Sequence, residues 1–237
     1  MTTLPLKACN RLIKICISDW FSLADNLSLT IAKVLLSVAL TAMIACYAHG
    51  QTSQGDHSEF SGSEYEISSI FIADAFVGKA GVERVAFPVS QIIIVDKTQY
   101  DESGITEEMP WNKVRKFLRK QVPSLQLATI DNFREANKWQ VPLQQRFSLP
   151  LPYQLVAEGT IGSIIHEISD WPHYYKQYPG AQGFLTLSRI GFSPGGEQAM
   201  FYVTNYCGGK CATGSFVVAQ KQGEKWKIVR EIVYWVS

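Results

Sequence analysis

Cysteine is scarce in this chain, five among 237 residues, and Cys9, Cys16 and Cys46 all precede Gly50. That excludes a small scaffold held by a disulfide framework and leaves one pair, Cys207 and Cys211, in the body of the chain. Histidine is scarcer still, at four residues, with only His166 and His173 beyond the N-terminal region. Zinc would need two ligands besides the cysteine pair, and no second cysteine pair exists. Charge of either sign is not in excess: 22 Lys and Arg against 21 Asp and Glu give a net charge of +1. Proteins that grip nucleic acid are usually clearly basic, so no nucleic-acid partner is expected. The chain also lacks G-x-S-x-G, a Walker loop, H-E-x-x-H and G-x-G-x-x-G, so no catalytic residue, cofactor or metal is assigned.

What is present is apolar and aromatic: 46% hydrophobic and 12% aromatic residues, too many for a disordered chain. The strongest single signal is "LTIAKVLLSVALTAMIACYAHGQ". Val34 to Ala45 carries no charge, and Lys7, Arg11, Lys14 and Lys33 precede it. A positive stretch, a short apolar run and small residues after it describe a secretory signal peptide, with Ala48-His49-Gly50 as an acceptable cleavage site. Two alternatives stay open. "MIAC" places Cys46 as a candidate lipidated residue, as in a lipoprotein, and Leu29 to Ala48 is long enough for a retained membrane anchor. All three send the chain after residue 50 out of the cytoplasm. The expected location is therefore the periplasm or another extracytoplasmic space, with the membrane as a partner if the segment is retained or acylated.

The expected organisation is a signal or anchor over 1–50, a polar tether over 51–62 and a single domain over 63–237. Ser63-Glu64-Tyr65-Glu66 reads as a capping box before Ile67, Ile70, Phe71 and Ala75 at helical spacing. "SQIIIVDKT" is short and β-branched, a buried strand ending near Lys97. Pro110 opens a helix with Trp111, Val114 and Leu118 on one face. Pro123-Ser124 stops it and caps another through Ile130 and Phe133. A strand is expected at Tyr153 to Glu158 and a helix at Ile161 to Ser169. From Gly183 onward four β-rich runs are separated by PGGE, CGGKCAT and QGE, the pattern of an antiparallel meander. The expected class is α+β: helices packed on one face of a C-terminal four-stranded antiparallel meander, with one or two further strands.

Cys207 and Cys211 flank Gly208-Gly209-Lys210 at the tip of one of those hairpins. Residues opposed across an antiparallel pair lie about 4.5–5.5 Å apart at Cα, within reach of a disulfide. A redox pair would need a thiol acidified by a helix N-terminus or a cation, and Lys210 is the only adjacent cation. The reading is a disulfide staple.

Other groupings have plainer explanations. His166, Asp170 and His173 would share a helical face, but Pro172 breaks the helix, with Ser169 or Asp170 capping a new one. The basic stretch Lys113, Arg115, Lys116, Arg119 and Lys120 reads as a solvated helix face, with a membrane-surface helix as the alternative. In "FLTLSRIGFS", Arg189 would be buried and need a carboxylate: Glu197, Glu231 or a ligand's. Ser188 and Arg189 are therefore candidate ligand-binding residues, together with Trp171, Tyr174 and Tyr175 of "WPHYYKQYPG". That aromatic run suits a sugar or lipid groove, against a default of packing under the meander.

The residues "YPGAQGFLTLSRIGFS", "CGGKC" and "KWKIVREIVYWVS", with "IIIVDKT" and "PLQQRF" upstream, resemble a group of bacterial exported proteins with no assigned activity. The resemblance covers roughly residues 64 to 237 and implies a shared fold and export, without a mechanism. The expected function is non-enzymatic binding of a protein or small-molecule partner at the envelope. The alternative is an enzyme, using either thiol-disulfide chemistry at Cys207 and Cys211 or a hydrolase site near Ser188 and Arg189.

Overall fold

The structure is a computed structural model. It describes residues 59–76, 89–99 and 110–237, and the expected signal or anchor, Cys46 and most of the tether lie outside the described residues.

Helix α1 (Gly62–Phe76) begins the fold. Its first turn is closed by a reciprocal pair of hydrogen bonds: the Ser61 N–H donates to Glu64 Oε2 at 2.7 Å, and the Glu64 N–H to Ser61 Oγ at 3.3 Å. This is the capping box the sequence suggests, placed two residues earlier than Ser63 and Glu66. Phe60, just ahead of it, is buried against Tyr65, with ring centroids 4.8 Å apart.

Strand β1 (Gln91–Val95) follows, then helices α2 (Trp111–Gln121) and α3 (Leu127–Ala136). Val114 and Leu118 of α2 are buried, while Lys113, Lys116, Arg119 and Lys120 are exposed, so the basic stretch is a solvated helix face. Ser124 does not cap α3. The N-cap is Gln126, whose N–H donates 2.8 Å to Gln198 Oε1 on a distant strand. Thr129 Oγ1 donates to the same oxygen at 3.2 Å. A buried glutamine of the sheet thus ties down the start of α3, which has no side-chain cap of its own.

Strand β2 (Tyr153–Val156) leads into α4 (Glu158–Ile164), a 3₁₀ turn (Ile168–Asp170) and α5 (Trp171–Gln177). The helix expected over Ile161 to Ser169 therefore begins earlier and stops at Ile164. Pro172 sits in the first turn of α5. The remaining strands are β3 (Ala181–Leu187), β4 (Gly191–Phe192), β5 (Gln198–Tyr206), β6 (Thr213–Gln222) and β7 (Lys225–Val236).

The described strands form one sheet in the order β2-β1-β3-β5-β6-β7, with the short β4 also paired to β5. From β3 to β7 the pairing is antiparallel, which is the expected meander. β1 joins its edge parallel to both β2 and β3, because the helical connections bring the chain back to start each strand at the same end. The run "FLTLSRIGFS" is not one strand. It breaks at Ser188-Arg189-Ile190, between β3 and β4.

Helices cover both faces of the sheet, not the one face expected, because alternation along the strands sends apolar side chains to both. On one face Ile92, Ile94, Leu185, Leu187, Phe201, Val203 and Val217 pack with Ile67, Phe71 and Ile72 of α1. On the other, Met200, Tyr202, Phe216 and Val218 pack under α2 and α3. On that second face, but toward the parallel edge, Ile93, Val95 and Val156 pack with Ile161 and Tyr174 of α4 and α5. The second face therefore carries two separate helix pairs. Among the described residues no helix is long and apolar enough to cross a membrane.

Candidate functional site

A cleft of about 610 Å³ opens on the face that carries the two helix pairs. Its floor is Val95 of β1, Phe184 and Thr186 of β3 and Tyr206 at the end of β5; Ile161, Gly162, Ile165 and Trp171 of the α4–α5 segment wall one side. Gln140, beyond α3, and the Lys97-Thr98-Gln99 run after β1 complete the lining. The topology accounts for the opening. β1 and β3 are parallel neighbours, and the chain leaves β1 toward β2 on one side and β3 toward β5 on the other, so the connections diverge between their carboxyl ends. Ligands in sheets with parallel strands commonly sit at such a divergence.

Three rings form a row along the floor and wall. Trp171 stacks on Phe184 with centroids 6.2 Å apart and planes 10° apart, and Phe184 on Tyr206 at 5.2 Å and 23°. Beside the rings runs a band of neutral polar groups. Thr186 Oγ1 and Thr204 Oγ1 share a hydrogen bond, and Gln99 Nε2 donates to Thr204 Oγ1 at 3.1 Å. Burial pushes the Tyr206 hydroxyl above the usual phenol range; its hydrogen bond with Thr204 opposes the shift and the Glu158 carboxylate adds to it. Tyr206 is thus a neutral phenol at physiological pH, able to donate and accept. The charges at the rim offset each other: Lys97 Nζ lies 2.8 Å from Glu158 Oε2.

Of the residues singled out from the sequence, Trp171 lines this cleft. Tyr174 and Tyr175 are on the same helix but serve packing: Tyr174 is fully buried, and the Tyr175 hydroxyl donates to the Cys207 carbonyl at 2.8 Å. Burial raises both phenols above their ordinary range, most strongly Tyr174. The Tyr174 hydroxyl has no hydrogen-bond partner among the described residues.

Ser188 and Arg189 lie in the core, away from the cleft. Ser188 Oγ donates to the Arg189 carbonyl at 2.8 Å and accepts the Tyr202 N–H at 2.7 Å. The carboxylate that meets Arg189 belongs to Glu64, not to Glu197 or Glu231, with Nε to Oε1 at 2.8 Å and Nη2 to Oε2 at 3.1 Å. Glu64 became the partner because the capping box turns its side chain inward at the start of α1, where the broken strand delivers Arg189.

Cys207 and Cys211 form a disulfide with Cα atoms 5.2 Å apart. They are not opposed within the ladder. The last β5–β6 pair is Asn205 with Thr213, so both cysteines lie in the turn beyond it. On the α1 side they border a smaller cavity of about 400 Å³ with Phe71, Phe76, Asn205 and Glu231. His166 and His173 are exposed, and among the described residues no cluster of His, Cys, Asp and Glu could hold a metal ion.

Lys97, Gln99, Glu158, Thr186 and Tyr206 escaped sequence reasoning. They are ordinary polar or aromatic residues, and apart from Lys97 and Gln99, which share the run after β1, each lies on a different element. The fold and cleft define an α+β domain with a mixed sheet and a neutral, ring-lined cleft. Comparison with protein-family models, curated proteins and solved structures finds no match for this chain.

Proposed function

We propose that residues 59–237 form a non-enzymatic binding domain that works outside the cytoplasm, with the cleft above β1 and β3 as its site. The ligand is small and neutral, with an apolar face and several hydroxyl or amide groups, the chemistry of a saccharide. The observation that carries this reading is the pairing of the Trp171-Phe184-Tyr206 row with the Gln99-Thr204-Thr186 band. Rings suit the C–H surface of a sugar, and amides and hydroxyls both donate and accept, as sugar hydroxyls require. The Lys97–Glu158 pair leaves the rim close to neutral, which favours an uncharged ligand over a phosphate or carboxylate. The volume falls in the range of about 300–1,000 Å³ common to small-molecule sites.

Export, through a cleaved signal, a lipid on Cys46 or a retained anchor, is part of the same reading. It is supported by the N-terminal apolar run, the resemblance to exported proteins and a disulfide suited to an oxidising compartment. The engaged Ser188 hydroxyl and Arg189 guanidinium favour binding over hydrolysis.

The test is a melting-temperature screen against neutral mono- and disaccharides, since a ligand at ~100 times its Kd stabilises the fold by about 2.7 kcal/mol. At least one sugar should stabilise the wild type, and Trp171→Ala should abolish the shift, each variant being compared with its own unliganded melt. Absence of any sugar-dependent shift, together with turnover of an ester or disulfide substrate, would overturn the proposal in favour of an enzyme.

A further inference from the structure

The helix that carries Trp171 is short, and two contacts tie it to the β5–β6 turn. The Tyr175 hydroxyl donates to the Cys207 carbonyl at 2.8 Å. On the other side of Trp171 in sequence, Ile168 lies against Gly209, where a Cβ would fall 2.5 Å from Ile168 Cγ2. Only glycine allows that approach. Trp171 is thus bracketed by two anchor points on one turn, and the disulfide closes that turn.

A seven-residue helix has little stability of its own, so the place of α5 depends on what it packs against. The turn contains Gly208 and Gly209, residues that restrict the backbone least. Without its cross-link such a turn samples many conformers, and few of them present the Cys207 carbonyl to Tyr175 and Gly209 to Ile168 together. A ring this small restricts the unfolded chain only modestly. Its main consequence is local.

We infer that the Cys207–Cys211 disulfide is a positioning element for the cleft: it holds the turn that fixes α5, and so sets where the Trp171 wall stands over Phe184. Tyr175 and Gly209 are the positioning residues through which it acts. The functional consequence rests on the cleft being the binding site; the structural one does not.

Hydrogen exchange read by mass spectrometry separates the two. The wild type is compared with Cys207→Ser/Cys211→Ser and with Tyr175→Phe, following residues 168–178 against the β5–β6 ladder. In both variants the 168–178 amides should exchange about two- to tenfold faster, the span expected for loss of a single hydrogen bond, while the ladder keeps its protection. Unchanged exchange over 168–178, or an equal loss of protection everywhere, overturns the inference. Tyr175→Phe, which keeps the disulfide, decides the matter if the double variant does not fold. The saccharide screen is repeated on the same proteins. Loosened helices with weakened sugar binding support the full inference, and loosened helices with undiminished sugar binding overturn the link to the cleft. Loosened helices where even the wild type binds no sugar support the positioning role and overturn the ligand class alone.

Discussion

Replacing Glu64 by alanine should be among the most damaging single changes in the domain. Its side chain is only 2% exposed and that of its partner Arg189 9%. Four donors converge on the carboxylate. Arg189 Nε at 2.8 Å and the Ile190 N–H at 3.0 Å reach Oε1; Arg189 Nη2 at 3.1 Å and the Ser61 N–H at 2.7 Å reach Oε2. Removing it takes from a buried guanidinium its Glu64 partner, uncaps α1 and leaves the broken strand between β3 and β4 without this anchor. Breaking a buried pair by deleting one partner costs about 3–5 kcal/mol. Against a typical total of about 5–15 kcal/mol, that is a large fraction of the stability. At about 2–4 °C per kcal/mol for a domain of this size, the melting temperature should fall by about 6–20 °C.

The cycle with Arg189→Met isolates the charge. The Glu64→Ala/Arg189→Met double variant no longer buries a cation deprived of its Glu64 carboxylate, so it should lose less than the sum of the two single changes, with a coupling of about 0.5–3 kcal/mol. It should still fall short of the wild type, because the Ser61 and Ile190 N–H groups remain unpaired. Urea unfolding followed by circular dichroism measures all four proteins. A Glu64→Ala cost below about 1 kcal/mol, or strict additivity in the cycle, would refute the reasoning.

Two further outcomes follow from the same geometry. Gln198→Ala removes the acceptor of Gln126 N and Thr129 Oγ1 and the donor to the Ser124 carbonyl, so the start of α3 loses its tie to the sheet. The cost should be about 1–3 kcal/mol in a urea midpoint with unchanged m-value, and a shift under ~0.5 kcal/mol would contradict the anchoring role. Asp170 accepts the N–H groups of Glu167 at 2.9 Å and His166 at 2.8 Å, which together hold its carboxyl below the usual aspartate range. With the folded value depressed, its contribution to the α4–α5 junction is present above the ordinary value of about 3.9 and is lost as pH falls through the folded value. A carbon-detected NMR titration with a midpoint at or above the ordinary value would disprove this.

Sequence alone was enough for whatever depends on neighbours along the chain. The β-branched run at Ile92–Val95, the helical spacing of Val114 and Leu118 and the turns separating β5, β6 and β7 each set a local preference that packing kept. The disulfide was legible because a short turn leaves Cys207 and Cys211 no room to be far apart. Capping and ion pairing were harder. The box at Ser61 and Glu64 competes with an equally good pattern at Ser63 and Glu66, and only the docking of α1 against Ile190 and Arg189 selects between them. Gln198 anchors the start of a helix 72 positions away in sequence, where no periodicity can point.

Apart from Trp171, which stood out in the sequence, the site lies on the tertiary side of that line. Lys97 and Gln99, Glu158, Trp171, Thr186 and Tyr206 come from separate segments, brought together because β1 pairs in parallel with both β2 and β3 and the chain leaves β1 and β3 in opposite directions. Strand pairing of that kind is a long-range choice, decided by which apolar faces the whole chain can bury at once. Local propensity specifies the pieces because its energies act between near neighbours. It is silent on the cleft because those six side chains share no local interaction until the sheet has formed.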